Sequence, residues 1–302
     1  MEIASQLSLT ATAKAYFETT KPKVVALLVF TAIVGMLLAS PGALSIDILF
    51  FASLGIALAS ASGAAINHVV DQYIDAVMGR TKGRPLPTGT LSSQSVLIFA
   101  LILGALSMFV LTYTVNMLTA LLALIALIGY AVIYTMFLKR NTPHNIVLGG
   151  AAGAMPPVLG WTAVTGEINS EALLLFLIIF IWTPPHFWAL AIRRKDDYAR
   201  AGLPMLPVTH GIAFTKLQIL LYTFMLLAVS LFPFITNMSG LIYLSGALSL
   251  GIGFIIYAFR LFKSDGDQYA MKTFAYSIFY LGVLFAFLLF DHYARVLYHS
   301  FS

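Results

Sequence analysis

The chain has 302 residues, of which 60% are hydrophobic and 10% are charged, and its mean hydropathy is +0.92. A soluble globular fold cannot bury that much apolar surface, so the composition predicts an integral membrane protein with the lipid bilayer around it. The sequence has no cysteine, which excludes disulfides and thiolate metal sites. Because the net charge of +5 comes from short connecting segments, we interpret it as a topology signal and expect no nucleic-acid partner.

Long apolar stretches follow one another along the chain. An α-helix needs about 20 apolar residues to cross a hydrocarbon core of about 30 Å, and these stretches are continuous rather than alternating, which favours helices over a membrane β-barrel. The sequence therefore predicts an all-α integral membrane bundle of nine transmembrane helices that forms one domain over residues 1–302. The nine stretches lie near residues 24–42, 45–66, 94–114, 117–138, 145–164, 171–191, 217–237, 240–261 and 272–293.

The positive charges lie almost entirely in alternate connections. Of the 17 Lys and Arg residues, all but Arg295 precede the first stretch or follow the second, fourth, sixth and eighth. Since Lys and Arg concentrate in cytoplasmic loops, the N-terminus should be cytoplasmic and the C-terminus outside. The first twenty residues include two Glu and lack the pattern of a signal or transit peptide, so we expect a multi-pass protein of the bacterial cytoplasmic (inner) membrane.

Two connections on the predicted cytoplasmic side are long, at about 67–92 and 193–216, and we expect the catalytic groups there. Within the membrane stretches, two pairs of prolines occur, Pro156 with Pro157 and Pro184 with Pro185. Paired prolines remove backbone donors and should kink a helix. Either packing geometry or the wall of a substrate chamber would explain them.

The segment NHVVDQYID places Asn67, Asp71 and Asp75 four residues apart, which on a helix puts all three side chains on one face. A carboxylate at the centre of a membrane helix costs about 2.5–3.5 kcal/mol, so two of them imply a hydrated, occupied site near the membrane surface. Oxygen ligands without thiolates suit Mg²⁺, which commonly binds one or two carboxylates together with phosphate. We therefore predict that these three residues bind Mg²⁺ and that the substrate carries a phosphate.

Three cations follow in the segment RTKGRPL, namely Arg80, Lys82 and Arg84. Guanidinium groups bind phosphate oxygens through two hydrogen bonds, so these cations suit a departing diphosphate. Membrane topology alone would also explain three cations in a cytoplasmic loop. Their position directly after two aspartates favours the diphosphate site.

Together these two segments resemble the first Asp-rich motif of the UbiA superfamily of intramembrane prenyltransferases, and the nine-helix pattern agrees over essentially the whole chain. Two further blocks, HNIVLGGAAGAMPPVLGW and WTPPHFWALAIRRKDDYARAGLPMLPV, are similar to the superfamily's protoheme IX farnesyltransferase (heme O synthase) branch. The resemblance implies helices around a central cavity and Mg²⁺-dependent farnesyl transfer from farnesyl diphosphate to a vinyl group of heme B. Water addition would then give heme O, for use by a downstream heme A synthase or in terminal oxidase assembly.

On that resemblance, the first motif supplies the ligands of the metal and the diphosphate. The second motif departs from the Asp-x-x-x-Asp pattern of the quinone-directed branch, because Arg200 stands four residues after Asp196. A second two-carboxylate metal site is therefore in question, and Arg194 or Lys195 would take over part of its charge. We retain four residues as candidates for the second diphosphate-binding segment: Arg194, Lys195, Asp196 and Asp197.

A heme acceptor would need apolar walls and a cation for its propionates. Aromatic residues that could form such walls follow the Pro184–Pro185 pair, a histidine follows Asn67, and an arginine lies near the predicted membrane surface. A histidine that is packed and hydrogen-bonded in the core is nevertheless the ordinary case. The candidates for heme contact are His68, His186, Trp188 and Arg193.

Two other functions fit part of the pattern. A prenyltransferase for a quinone precursor or a chlorin would share the first motif, and a secondary transporter would share intramembrane acids and broken helices. Transport needs no diphosphate clamp on one membrane face, which argues against the second alternative. Products formed from farnesyl diphosphate with either heme or 4-hydroxybenzoate would separate the acceptors.

Overall fold

The computed structural model describes residues 8–40 and 42–301. A π-helical segment, Gly129–Leu138, continues directly from the fifth of fifteen α-helices. The α-helices are α1 (Leu9–Thr19), α2 (Pro22–Ala39), α3 (Ile46–Val77), α4 (Ser93–Thr114), α5 (Met117–Ile128), α6 (Lys139–Asn141), α7 (Asn145–Ala154), α8 (Pro156–Thr165), α9 (Ser170–Arg193), α10 (Lys195–Arg200), α11 (Leu206–Thr209), α12 (Gly211–Ser230), α13 (Phe232–Ile235), α14 (Leu241–Lys263) and α15 (Ala270–Phe301).

Nine spans in the described part of the chain are long and apolar enough to cross a membrane. Six of them are single helices or the main part of one: α2, α3, α4, α9, α14 and α15. The other three are composite: α5 to α6 through the π-helical segment, α7 with α8, and α12 with α13. Each predicted stretch corresponds to one span, which confirms the all-helical bundle.

Both long connections are shorter than the sequence indicated. The connection predicted at about 67–92 begins only after Val77, because α3 is 32 residues long and includes the first-motif carboxylates. The connection predicted at about 193–216 contains α10 and α11, and α12 already begins at Gly211. The polar residues of the first motif are therefore held on a rigid helix instead of a loop.

Close packing of α2 against α8 depends on two glycines. A Cβ at Gly160 would stand 1.9 Å from the carbonyl oxygen of Ala32, and a Cβ at Gly35 would stand 2.2 Å from the carbonyl oxygen of Pro157. Neither position has room for a side chain, as is usual where membrane helices cross through small residues. This crossing fixes α2 in the bundle, and with it the residue that precedes α2, Lys21.

The two proline pairs have different effects. The first pair divides the fifth span, since α7 ends at Ala154 and α8 begins at Pro156. Pro184 and Pro185 lie inside α9, which continues to Arg193. Only the first pair interrupts its helix.

The two ends of the bundle differ in charge. One end, called here the cation-rich end, contains α1, the α1–α2 junction, α6, the connections α3–α4, α6–α7, α9–α12 and α14–α15, and the adjoining ends of the helices. Together these parts carry all the Lys and Arg residues except Arg295. At the opposite end, the buried carboxylate of Asp291 accepts hydrogen bonds from the backbone N–H groups of Gly240 (2.5 Å) and Tyr243 (3.2 Å). Arg295 donates to the carbonyl of Asn237 at 3.2 Å. The last helix thereby caps the N-terminus of α14.

Candidate active site

Three polar side chains lie on one face of the last turns of α3. Asn67, Asp71 and Asp75 are only 4%, 1% and 3% exposed, and Asn67 Nδ2 donates to Asp71 Oδ2 at 2.7 Å. The four-residue spacing accounts for this alignment, because residues i and i+4 stand one above the other on a helix. The structure therefore brings the three predicted metal ligands together in a buried position.

Each of the two carboxylates is paired with a cation. Lys139 Nζ lies 2.5 Å from Asp71 Oδ2, and Arg84 Nη1 lies 2.6 Å from Asp75 Oδ2. The Lys139 side chain is 14% exposed and that of Asp71 is 2% exposed, so the first pair is well shielded from water. A buried charge is tolerated when it is paired and hydrogen-bonded, and these contacts meet that condition for both aspartates.

A third cation, Lys21, reaches the same place from the junction of α1 and α2. Lys21 Nζ donates to Asn67 Oδ1 at 2.5 Å and lies 3.5 Å from the Tyr130 hydroxyl. Its backbone is left-handed (φ 52°), an arrangement that costs a non-glycine residue about 1–2 kcal/mol and is often found at functional sites. Burial, together with the nearby charges of Arg84 and Lys139, lowers the pKa of Lys21 to about 7.

These contacts define a buried charge cluster. Its three cations outnumber its two carboxylates, so its formal charge is positive and it suits an anionic ligand. The members of the cluster are Lys21, Asn67, Asp71, Asp75, Arg84 and Lys139.

The π-helical segment supplies an aromatic wall beside this cluster. The rings of Tyr130 and Tyr134 are stacked with their centroids 5.7 Å apart. Thr135 Oγ1 donates to the Tyr130 carbonyl at 2.8 Å and accepts a hydrogen bond from Asn67 Nδ2 at 3.3 Å. π-Helical turns are rare and frequently occur at functional sites. Here the unusual winding ties the aromatic pair to α3.

The donor set of the cluster fits Mg²⁺. Asp71 Oδ1 is buried and accepts no hydrogen bond from any described residue, so it is free to bind a cation. The described residues contain no group of three or more His, Asp or Glu side chains that would hold a metal by themselves. An ion at Asp71 and Asp75 would take its other ligands from Asn67, water or a substrate phosphate, which is the usual way Mg²⁺ is bound.

The α3–α4 connection separates the three predicted cations. Arg84 is half-buried in the cluster, whereas Arg80 and Lys82 are exposed. Burial raises the pKa of Tyr198, in α10, and the charge of Arg80 partly offsets that rise. Met78 packs in the same apolar group as Tyr198. The two long connections therefore meet at the cation-rich end, as a site shared between them requires.

The second predicted segment makes contacts mainly within itself. Asp197 accepts hydrogen bonds from Arg194 at 3.3 Å and from Arg200. Asp196 is exposed and Lys195 is half-buried. Arg200 stands where an Asp-x-x-x-Asp pattern that began at Asp196 would have its second carboxylate, and it pairs with the neighbouring Asp197. The role of this segment in diphosphate binding stays a prediction.

Two of the candidate heme contacts are buried and have polar atoms without a hydrogen-bond partner among the described residues. Among the described residues, neither ring nitrogen of His68 has a hydrogen-bond partner, and the indole N–H of Trp188 has none either. Both side chains are 2% exposed. Buried polar atoms are normally satisfied, so these nitrogens are available to water or to a ligand.

The other two candidates are already engaged. His186 is stacked between Trp182 (4.2 Å between centroids) and Phe274 (4.5 Å), and its Nδ1 lies 2.7 Å from Ser277 Oγ. These contacts are those of a histidine that packs two helices together. Arg193 is exposed and forms an ion pair with an aspartate of the α14–α15 connection at 2.9 Å.

Lys21 and Lys139 were missed by the sequence reasoning as site residues. In the sequence, both lysines count only as part of the positive charge of the predicted cytoplasmic face. Most of the other Lys and Arg residues at that face are exposed. Lys139 stands beside Arg140 in the sequence, and only the first of the two is buried. The one local signal is the Lys-Pro pair at residues 21–22, which sets the start of α2.

Comparison with known proteins identifies the family. The sequence pattern of the UbiA prenyltransferase family matches residues 28–289, a range that includes α3, the π-helical segment and the α9–α12 connection. The chain belongs to this family. Among curated relatives of this UbiA prenyltransferase, a protoheme IX farnesyltransferase from Thioalkalivibrio sulfidiphilus is 66% identical over 282 residues, or 93% of each chain. Another, from Marinobacter nauticus, is 60% identical over 281 residues with the same coverage.

Solved structures show the same fold. A digeranylgeranylglyceryl phosphate synthase structure is similar to this family member with a TM-score of 0.80, covering 93% of this chain and 98% of that one at 20% identity. A UbiA homolog from Archaeoglobus fulgidus, described as bound to DMAPP and Mg²⁺, has a TM-score of 0.65 at 19% identity, with coverage of 90% and 98%. These likenesses show that the chain shares the helical fold of those structures.

Proposed function

We propose that this protein transfers a farnesyl group from farnesyl diphosphate to a vinyl group of heme B and that, after addition of water, the product is heme O. The observation that carries the proposal is the 66% identity to a protoheme IX farnesyltransferase over 93% of both chains. The 282 matched residues include the α3–α4 and α9–α12 connections. The similarity therefore extends over the segment proposed to contact the acceptor as well as over the diphosphate motif.

The buried charge cluster supports a diphosphate-bearing donor. Lys139 and Arg84 pair with the carboxylates of Asp71 and Asp75, and Lys21 donates to Asn67 on the same helix face. A diphosphate that replaced Asp71 and Asp75 as their partner would receive three charge-assisted hydrogen-bond donors. As the C1–O bond of the donor breaks, negative charge builds up on the leaving diphosphate, and donors already in position stabilise it.

The aspartates would then be free to hold a metal. Asp71 and Asp75, with Asn67, are the residues that would bind Mg²⁺, the ion described in the Archaeoglobus fulgidus structure. When bound, Mg²⁺ supplies charge neutralisation for the diphosphate oxygens. The free Oδ1 of Asp71 supports this assignment.

The farnesyl cation needs shelter from water and from premature capture. Tyr130 and Tyr134 present stacked rings next to the cluster, and an aromatic face stabilises a nearby cation by about 0.5–2 kcal/mol. Both side chains are at membrane depth, where exclusion of water prevents hydrolysis of the cation.

Carbon–carbon bond formation completes the transfer. The terminal vinyl carbon of heme attacks C1 of the farnesyl group, and the positive charge moves to the vinyl carbon next to the porphyrin ring. Water adds at that carbon and releases a proton, which leaves a hydroxyl group. Farnesyl diphosphate, heme B and water are thereby converted to heme O, diphosphate and a proton.

For the heme contacts, the unpartnered nitrogens favour His68 and Trp188 over His186 and Arg193, which are held by other side chains. Arg194 is half-buried in the α9–α12 connection and is the cation we assign to a propionate, although it also pairs with Asp197. Separate titrations of heme and farnesyl diphosphate would test this division of the site. If Arg194→Ala lost affinity for farnesyl diphosphate but not for heme, Arg194 would be assigned to diphosphate binding instead.

Product analysis tests the reaction directly. Purified protein in lipid nanodiscs is incubated with Mg²⁺, farnesyl diphosphate and one acceptor: heme B, 4-hydroxybenzoate or a chlorin. We expect a farnesylated product from heme alone, and in ¹⁸O-labelled water the product should gain one heavy oxygen. Prenylation of 4-hydroxybenzoate in place of heme would refute the acceptor, and a heme product without label would refute the water step.

We also propose that the cation-rich end faces the cytoplasm of a bacterial cell and that the product passes to a heme A synthase or to terminal oxidase assembly. The charge distribution supports the orientation. Because the chain has no cysteine, a single Cys at Lys82 or, for comparison, at Gly42 is labelled uniquely. In intact cells an impermeant thiol reagent should label only the Gly42→Cys variant; labelling of Lys82→Cys alone would reverse the orientation.

A further inference from the structure

An apolar groove of about 620 Å³ runs between α1 and the first turns of α4. Most of its surface comes from hydrocarbon and aromatic side chains, with three hydroxyl-bearing residues among them. Its lining consists of Ala13, Tyr16, Phe17 and Thr20 from α1 and its C-terminal end, and Ser95, Ile98, Phe99 and Ile102 from α4.

The position of the groove fits the inner leaflet at the membrane boundary. α4 is one of the nine candidate spans, and it begins at Ser93 at the cation-rich end. With a rise of about 1.5 Å per residue, the groove extends over roughly the first 13 Å of this span. Ile98 and Ile102 are 51% and 53% exposed, so the groove is continuous with the lipid-facing side of α4. An acyl chain has the length and chemistry for such a surface.

The groove is separated from the buried charge cluster. Thr20 lines the groove, whereas the next residue, Lys21, has a left-handed backbone and directs its side chain to Asn67. The turn between α1 and α2 thus stands between the two sites.

One side of α1 is packed and the other is not. Ala15 belongs to a small apolar group with Leu86 and Leu91 of the α3–α4 connection. Tyr16 lies at the edge of the groove, packs against this group, and has its ring 5.0 Å from that of Phe99 in α4. Phe17, on the groove side, remains 61% exposed. Lys14, next to groove residue Ala13, is also exposed and provides a cation for a headgroup phosphate.

We propose that this groove binds an acyl chain of a phospholipid from the leaflet at the cation-rich end, and that the bound chain braces α1 against α4. The chain covers the open side of α1, and its headgroup lies near Lys14. Because α1 ends directly before Lys21, the lipid also steadies the segment that delivers this lysine to the cluster.

Site-specific photo-crosslinking tests the occupant. A benzoylphenylalanine is introduced at Ile98 or, as control, at Ile252 of α14, which is also 51% exposed. Each protein is purified in detergent, depleted of loosely bound lipid and irradiated, and the adduct is identified by its mass. We expect a phospholipid adduct at position 98 in several-fold higher yield than at 252. Equal yields, a farnesyl diphosphate adduct, or a crosslink within the chain or to a second copy would overturn the proposal.

Hydrogen exchange tests the bracing. Adding phospholipid back to the depleted protein should slow exchange of the amides in Leu9–Thr19 several-fold, with little change in Leu241–Lys263. Equal protection of both helices, or none in α1, would contradict it. Neither measurement involves turnover, so the outcome is independent of the proposed reaction and its acceptor.

Discussion

Lys139 offers the sharpest test of the buried charge cluster, because the next residue in the sequence provides a matched control. Lys139 Nζ is 2.5 Å from Asp71 Oδ2 and is 14% exposed. Arg140 is exposed, and its guanidinium donates to the backbone carbonyl of Val70 at 2.8 Å. If the cluster binds the diphosphate, removing the first cation should weaken farnesyl diphosphate binding and removing the second should not.

The size of the effect follows from the contact that is lost. A hydrogen bond to a charged group contributes about 1.5–3 kcal/mol, and about 1.4 kcal/mol corresponds to a factor of ten in affinity. Lys139→Met should therefore raise the dissociation constant of farnesyl diphosphate about 10- to 100-fold. Arg140→Met removes an exposed charge and should change it no more than about fivefold, since exposed ion contacts contribute about 0–1 kcal/mol.

The assay is an equilibrium titration with a non-hydrolysable farnesyl diphosphate analogue in the presence of Mg²⁺. Thermal melting of each variant in the same detergent shows whether it is folded, because Lys139→Met leaves Asp71 without its cation. Lys139→Arg keeps the positive charge and should retain most of the affinity. It shows whether a loss in Lys139→Met comes from the missing charge or from misfolding. Unchanged binding in Lys139→Met, or equal losses in both methionine variants, would refute the role of the cluster.

Three further predictions address the metal, the far end of the bundle and the acceptor. Asp71→Asn should reduce turnover by at least two orders of magnitude while the protein stays folded, and EDTA should have the same effect on the wild type; activity that persists in either experiment rules out the metal site. Asp291→Ala removes the cap of α14 and should destabilise the fold by about 2–4 kcal/mol. The control, Asp47→Ala, removes an exposed acid in the first turn of α3 and should cost at most about 1 kcal/mol, and thermal melting compares the two variants. Trp188→Phe should weaken heme binding severalfold and leave farnesyl diphosphate binding unchanged, whereas Trp182→Phe, whose N–H bonds a backbone carbonyl, should affect heme binding less.

The fold was predictable because bilayer thickness sets the length of each apolar stretch, and every stretch became a span. The first motif was predictable for a similar reason: a spacing of four residues dictates one helix face wherever the helix lies. The end of α3 was not predictable. The apolar stretch ends at residue 66, and the spacing of the first motif predicts a helix through its polar residues without showing where that helix stops. Because Asp71 and Asp75 are paired with cations from elsewhere, the helix continues as a buried polar element up to Val77.

The partners of those carboxylates come from distant parts of the chain. Lys21 is 46 residues from Asn67, and Lys139 is 68 residues from Asp71. A count of cations by loop treats Lys139 and Arg140 alike, although only packing of the π-helical segment decides which of them faces inward. The same limit applies to His186, since the sequence does not show that its ring lies between two aromatic rings; its contact with heme stays a prediction.

The charge of the cluster also bears on the need for a metal. Three basic side chains and two carboxylates leave an excess of at most one positive charge, since the pKa of Lys21 is lowered to about 7, whereas a diphosphate carries several negative charges. Transfer of unbalanced charge into a buried site is costly, so the protein alone cannot neutralise this ligand. A divalent cation bound by Asp71 and Asp75 would supply the missing charge and would release Lys139 and Arg84 to the diphosphate. With both ligands bound, Asp71 and Asp75 would hold the metal, and Lys139 and Arg84, which now pair with them, would bind the diphosphate.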